Sequence, residues 1–197
     1  IENYTNNFNK NISVSILTEN GDFIVDINSK IPRIPASNQK ILSSAFSLDN
    51  LGPNYTLDTS LIRINNGGFY IDASGDPDLD KGHLDELIID LKNFKNNTSF
   101  KLPILVKGTN KENWWPTGWS LSDRQHEYGA PITKYSIASN ASNNALNNPI
   151  ENFIYELEMA LKRQNLHNDY FVKAVHKNHA IDNISTIKVI NSAPLYI

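Results

Sequence analysis

Ser37 and Lys40 stand three residues apart in "RIPASNQKILSSAFSLDNLGP", just after Pro35 and at the head of an apolar run. At i and i+3 of a helix, a serine hydroxyl and a lysine amine share one face and come within hydrogen-bond reach. Such a pair can do nucleophilic chemistry, the amine taking the hydroxyl proton as the oxygen attacks an electrophilic carbon. A lysine serves in this way only if its pKa falls from about 10.4 toward neutrality, which burial and the positive end of a helix dipole both favour. The same spacing has a plainer reading, in which Ser37 caps the helix and Lys40 is a solvated charge behind it.

A second match, Ser185 to Lys188, lies in "NISTIKVIN", where Ile184, Thr186, Lys188 and Ile190 alternate with Ser185, Ile187 and Val189. That alternation predicts a strand, and residues i and i+3 of a strand face opposite ways. His176 and His179 have the spacing of a helical metal face, but "AVHKNHAID" carries no clear helix and no carboxylate partner, so a solvated loop is expected. Asp123 follows Trp119-Ser120-Leu121-Ser122 and reads from the residues alone as a solvated loop carboxylate. Asp76, between Gly75 and Pro77, reads as a turn former. Trp114, Trp115 and Trp119 could stack on sugar rings, although apolar packing is the expected role.

The elements that must position these residues follow from periodicity. "NISVSILTENGDFIVDINSK" alternates Ile12, Val14 and Ile16, turns at Glu19 to Asp22, and resumes with Phe23, Val25 and Ile27, predicting a hairpin with Asn20-Gly21 as its turn signal. Pro32 and Pro35 end extended structure. Ile41, Leu42, Ala45, Phe46 and Leu48 then recur at helical spacing until Gly52-Pro53 stops the helix. "YTLDTSLIRI" and "FYIDAS" predict a second strand pair, and helical patterns return at "HLDELIIDLKNF" and at "IENFIYELEMALKRQ", which opens on Pro149 and Ile150. From Leu102 to Asn148 the chain reads as strands and long polar loops. No internal repeat is present at periods of about 20 to 50 residues.

The 197 residues allow one large domain or two small ones, with 40% hydrophobic and 20% charged residues in the ordinary globular range. A net charge of −3 supplies no basic footprint for nucleic acid or an anionic membrane surface. No run approaches the ~18 apolar residues of a membrane span. The chain has no cysteine, which excludes disulfides, thiolate nucleophiles and cysteine-ligated zinc. It begins at Ile1 without a charged-then-apolar leader, so a processed or trimmed chain is expected.

The segment from Arg33 to Thr59 resembles the nucleophile region of class C penicillin-binding proteins, the D-alanyl-D-alanine carboxypeptidase/endopeptidase family, with its P-A-S-x-x-K, apolar helix and L-G-P. "ASGDPDLD" resembles the family's G-x-D-P-x-L stretch. "WPTGWSLSDRQHEYGAPITKYSIASN" resembles its G-W-x-x-x-D…AP…N segment, and "NSAPLYI" the S-x-P-L run before its second active-site motif. The resemblance implies that Ser37 is the acylated nucleophile, Lys40 its general base, and Asp123 a carboxylate that helps bind the amine-bearing side chain of a peptidoglycan peptide. It implies acyl transfer on the D-Ala-D-Ala bond through an acyl-enzyme, with backbone N–H groups holding the oxyanion and no metal or cofactor. The implied partners are peptidoglycan stem peptides as substrates and β-lactams as covalent inhibitors, and the implied location is exported, periplasmic or cell-wall-facing.

The sequence also departs from the family. It contains no Lys-[Ser/Thr]-Gly, and Ser142-Asn143-Asn144 matches S-x-N only on the wrong side of the S-x-P-L run. These 197 residues are therefore expected to be the N-terminal part of a longer enzyme, with little activity of their own. The expected fold is α+β. Residues 1–70 would form part of a β-lactamase/transpeptidase-like, penicillin-recognising catalytic domain, and residues 71–197 an inserted α/β domain. Two other readings stay open: a β-lactamase-like serine hydrolase, and a non-catalytic peptidoglycan-binding or scaffolding module.

Overall fold

The first hairpin forms as its alternation predicts, with β1 (Val14–Leu17) antiparallel to β2 (Phe23–Ile27). Its turn is not the two-residue kind expected from Asn20-Gly21. Thr18 bonds to both ends of a longer loop, accepting from Gly21 N–H at 3.0 Å and donating to Asp22 O at 2.8 Å. Gly21 is left-handed at φ 87°, whereas Asn20 is not among the residues of positive φ. A two-residue type I′ turn needs both central residues left-handed, so the chain uses a longer loop closed by a glycine bulge, and the register slips at Leu17. The computed structural model describes residues 11–65, 67–94, 99–176, 178 and 180–194.

A 3-10 turn, Ala36–Asn38, leads into helix α1 (Gln39–Leu51), followed by Gly52 and Pro53 as read from the sequence. The chain divides into two compact units at Asn50/Leu51. No described residue from 11 to 50 is buried, and α1 exposes Ile41, Leu42 and Phe46.

The second unit is built on a five-stranded sheet. Its strands are β3 (Asp58–Ile64), β4 (Phe69–Ala73), β5 (Leu102–Lys107), β8 (Tyr170–Val175) and β9 (Asn183–Asn191), in the order β8-β5-β4-β3-β9. β3 is antiparallel to β4 and to β9, whereas β4, β5 and β8 run parallel. Parallel neighbours need crossovers, and helices α2 (Lys81–Ile89) and α3 (Pro149–Arg163) supply them. One face of the sheet (Leu61, Phe69, Ile71, Ile104, Val106, Tyr170 and Val172) shares a single core with Leu84, Leu87 and Ile88 of α2 and Phe153, Leu157 and Ala160 of α3. Both crossovers advance the same way across the sheet, so a constant hand puts both helices on that face. Asp80 caps α2 through His83 N–H at 2.9 Å, and Asn148 caps α3 ahead of Pro149. Arg163 grips both carboxylate oxygens of Asp85, tying α3 to α2.

Residue 70 lies inside β4, whose ladder joins it to β3 on one side and β5 on the other, so the hairpin of residues 58–73 shares the core of the downstream strands. Between β5 and α3 the chain runs through short 3-10 turns and a hairpin of two-residue strands, β6 (Ala141–Ser142) and β7 (Asn144–Ala145). No helix among the described residues is long and apolar enough to cross a membrane.

Candidate active site

Ser37 sits in the 3-10 turn and Lys40 in the first turn of α1. The turn carries no side-chain cap. Pro35 O accepts from Asn38 N–H at 2.9 Å, and Gln39 N–H is satisfied by the carbonyls of Ala36 and Ser37. Ser37 therefore does not serve as the cap that the plainer reading assigned to it. Its neighbour Ala36 is left-handed at φ 45°, a conformation that costs a non-glycine residue of order 1 kcal/mol and that concentrates at functional turns.

Upstream, a polar relay fixes the path into this turn. Arg33 Nε donates to Ser13 Oγ at 3.0 Å, and Ser13 Oγ donates to Asn28 O at 2.7 Å. Asn28 Nδ2 returns to Ile12 O at 2.9 Å. The relay anchors the segment before Pro35 to the residues flanking the open end of the first hairpin.

Ser37 and Lys40 are both exposed and, among the described residues, make no hydrogen bond to each other. Free enzymes often hold catalytic pairs loosely. The burial expected around Lys40 is not provided by the residues of its own unit.

The other Ser-x-x-Lys match is excluded by its surroundings. Ser185 and Lys188 lie in β9, as read, and Lys188 Nζ pairs with Glu86 Oε1 at 2.9 Å. A bulge shifts the register between Lys188 and Thr186, so the strict alternation read along this strand is interrupted there. Ser142-Asn143-Asn144 belongs to the β6-β7 hairpin, with Asn143 at φ 61°. His179 lies outside the described residues. Asp76 does shape a turn, its buried carboxylate accepting from Asp78 N–H at 2.9 Å.

Asp123 lies in the second unit, in the 3-10 helix Leu121–Gln125, where its carboxylate is half-buried and accepts from Ser122 Oγ at 3.3 Å. It lines a cleft of about 330 Å³ with Gly118, Trp119, Ser120, Tyr128 and Gly129. The loop behind the cleft is fixed from several directions. Asp123 O accepts from His126 N–H at 2.9 Å, and Trp115 Nε1 donates to Gly129 O at 2.8 Å. The Arg124 guanidinium lies 4.7 Å from the centre of the Trp115 ring. Gly129 packs so closely on the Asp123 carbonyl that any side chain there would collide with it.

The three tryptophans therefore divide their roles. Trp114 is buried and donates to Thr109 Oγ1 at 3.0 Å, and Trp115 braces the loop, whereas Trp119 reaches the cleft beside Asp123. Sequence reasoning grouped all three as packing and gave Tyr128 no part in the site. The available signal was that both residues lie within five positions of Asp123. A carboxylate flanked by an indole and a phenol is suited to a cationic group on an apolar stem.

Comparison with solved structures finds the same mixed α and β fold elsewhere. Penicillin-binding protein 4 (dacB) from Haemophilus influenzae matches with a TM-score of 0.65 at 16% identity, covering 89% of this chain and 55% of that one. The same protein complexed with a β-lactam matches with a TM-score of 0.51 at 17% identity, covering 89% and 53%. The chain thus spans about half the length of these structures. Comparison with curated proteins yields no match. The model of the D-Ala-D-Ala carboxypeptidase 3 (S13) family matches residues 8–187, and the chain belongs to that family.

Proposed function

We propose that this chain is a portion of a serine-type D-Ala-D-Ala carboxypeptidase, or endopeptidase, acting on peptidoglycan stem peptides, with Ser37 as nucleophile and Lys40 as general base. The observation that carries the reading is the uncapped 3-10 turn at Ser37. The serine hydroxyl is left unused by the helix, Lys40 follows one turn on, and the preceding Ala36 is held left-handed. In the reaction, Ser37 Oγ attacks the carbonyl carbon of the D-Ala-D-Ala bond as Lys40 takes its proton. The amine of the terminal D-alanine leaves with a proton, and water then releases the acyl group from Ser37. Backbone N–H groups hold the developing oxyanion, that of Ser37 among them. Asp123, between Trp119 and Tyr128, receives the amine-bearing side chain of the peptide. Such a substrate sets the enzyme outside the cytoplasm, facing the cell wall, and makes β-lactams its covalent inhibitors.

The coverage of about half of each related structure, and the lack of Lys-[Ser/Thr]-Gly in the sequence, support an incomplete site in these 197 residues. Nucleophile and base supply proton transfer, but acylation also needs groups that align the substrate. Incubation with a labelled penicillin followed by intact mass measurement tests the reading. A longer parent chain is expected to label stoichiometrically, its Ser37→Ala variant not at all, and the 197-residue chain scarcely. An unlabelled parent would sink the enzyme assignment, and rapid labelling of the short chain would show that its site is complete.

A further inference from the structure

The parallel strands β4 and β5 pair only through Phe69↔Ile104, Tyr70↔Leu105 and Ile71↔Val106. Beyond that point a phenol replaces the ladder. Tyr135 Oη donates to Ile71 O at 3.0 Å and accepts from Lys107 N–H at 3.0 Å. β5 continues to follow β8, with Lys107 opposite Val175 and Gly108 N–H donating to Val175 O at 2.9 Å. The carboxyl ends of two parallel strands therefore part around the Tyr135 side chain. Here a cleft of about 270 Å³ opens, lined by Tyr70, Lys107, Gly108, Thr109, Lys134 and Tyr135.

The lining has a definite chemistry. Lys81 and Lys188 pair with Glu156 and Glu86, but among the described residues neither Lys107 nor Lys134 takes part in an ion pair. Thr109 Oγ1 accepts from Trp114 Nε1 at 3.0 Å, which leaves the hydroxyl proton to donate. The Tyr70 phenol of the lining donates to Asp72 Oδ1 at 3.3 Å. Two cations and a hydroxyl donor thus line the crevice beside Tyr70.

We propose that this cleft binds an oxyanion, a carboxylate or a phosphate, carried on a ligand about the size of one amino-acid residue. Lys107 and Lys134 neutralise the charge, Thr109 donates to it, and the Tyr70 ring covers the stem. The proposal draws on neither Ser37 nor Asp123.

Titration of the 15N-labelled chain with N-acetyl-D-alanine in one arm and inorganic phosphate in the other tests it. Saturable shifts of the Lys107, Gly108 and Thr109 amides are expected in at least one arm, and the arm that responds tells a carboxylate ligand from a phosphate one. Lys107→Gln with Lys134→Gln is expected to weaken binding about tenfold or more, as the loss of charge-assisted contacts does. Lys107→Arg with Lys134→Arg is expected to retain it, and Lys173→Gln, a lysine of β8 that does not line the cleft, to leave it unchanged. Silence in both arms, or shifts indifferent to the double glutamine substitution in a chain whose remaining spectrum is unaltered, would overturn the proposal.

Discussion

At Asp123 the proposed role depends on one carboxylate and the loop that aims it. If the side chain receives a cationic group, Asp123→Asn in a complete enzyme should raise KM for amine-bearing peptides about tenfold, the worth of one charge-assisted hydrogen bond. Acylation by a penicillin without an amine should hardly change. Steady-state kinetics on paired substrates with and without the amine would show the split, and an equal loss on both would refute the assignment. Gly129 gives a second test, because a side chain there collides with the Asp123 carbonyl and the Arg124 backbone. Gly129→Ala should cost about 1 to 3 kcal/mol of stability, as overpacking does, and shift the Trp115 and Trp119 fluorescence. A denaturation midpoint equal to wild type would show that the loop yields freely.

Among the elements, capping and ion pairing make part of the stability acid-sensitive. The His83 backbone N–H holds the Asp80 carboxyl below its usual range, and the Lys188 ammonium does the same for Glu86. A carboxylate of lowered folded pKa stabilises above the ordinary value near 4, and the contribution is lost as pH falls through the lowered one, because the unfolded chain binds the extra proton. Asp80→Asn should leave neutral stability little changed, since Asn caps as well as Asp, while making the acid limb of a melting-temperature profile shallower. An unaltered limb would show that Asp80 is not a source of it. These elements were largely legible in the sequence. β9 occupies the residues read as a strand, α1 ends at Gly52-Pro53, and α3 opens at Pro149. What escaped was set by partners distant in sequence. The Tyr135 phenol between Ile71 and Lys107 arises from long-range packing that no local period records.

For the whole molecule, burial is divided unequally between the units. The sheet unit encloses a continuous apolar core, whereas no described residue from 11 to 50 is buried, and Ile41 and Phe46 of α1 are 69% and 70% exposed. Isolated helices of this length are marginal in water, and burying Ile41, Leu42 and Phe46 would contribute about 1.5 to 3 kcal/mol each. If the 197 residues are a portion of a longer enzyme, α1 should be the less protected part of the short chain and become protected in the parent. Hydrogen exchange read by mass spectrometry separates the two. In the short chain the amides of β3, β4, β5 and α3 should exchange only through global opening, and those of α1 should exchange within about tenfold of the rate of unstructured peptide. In the parent the α1 amides should slow toward the rate of the sheet. Protection of α1 already equal to that of the sheet in the short chain would mean that the helix needs no further covering, and that the surroundings of Ser37 are complete in these residues.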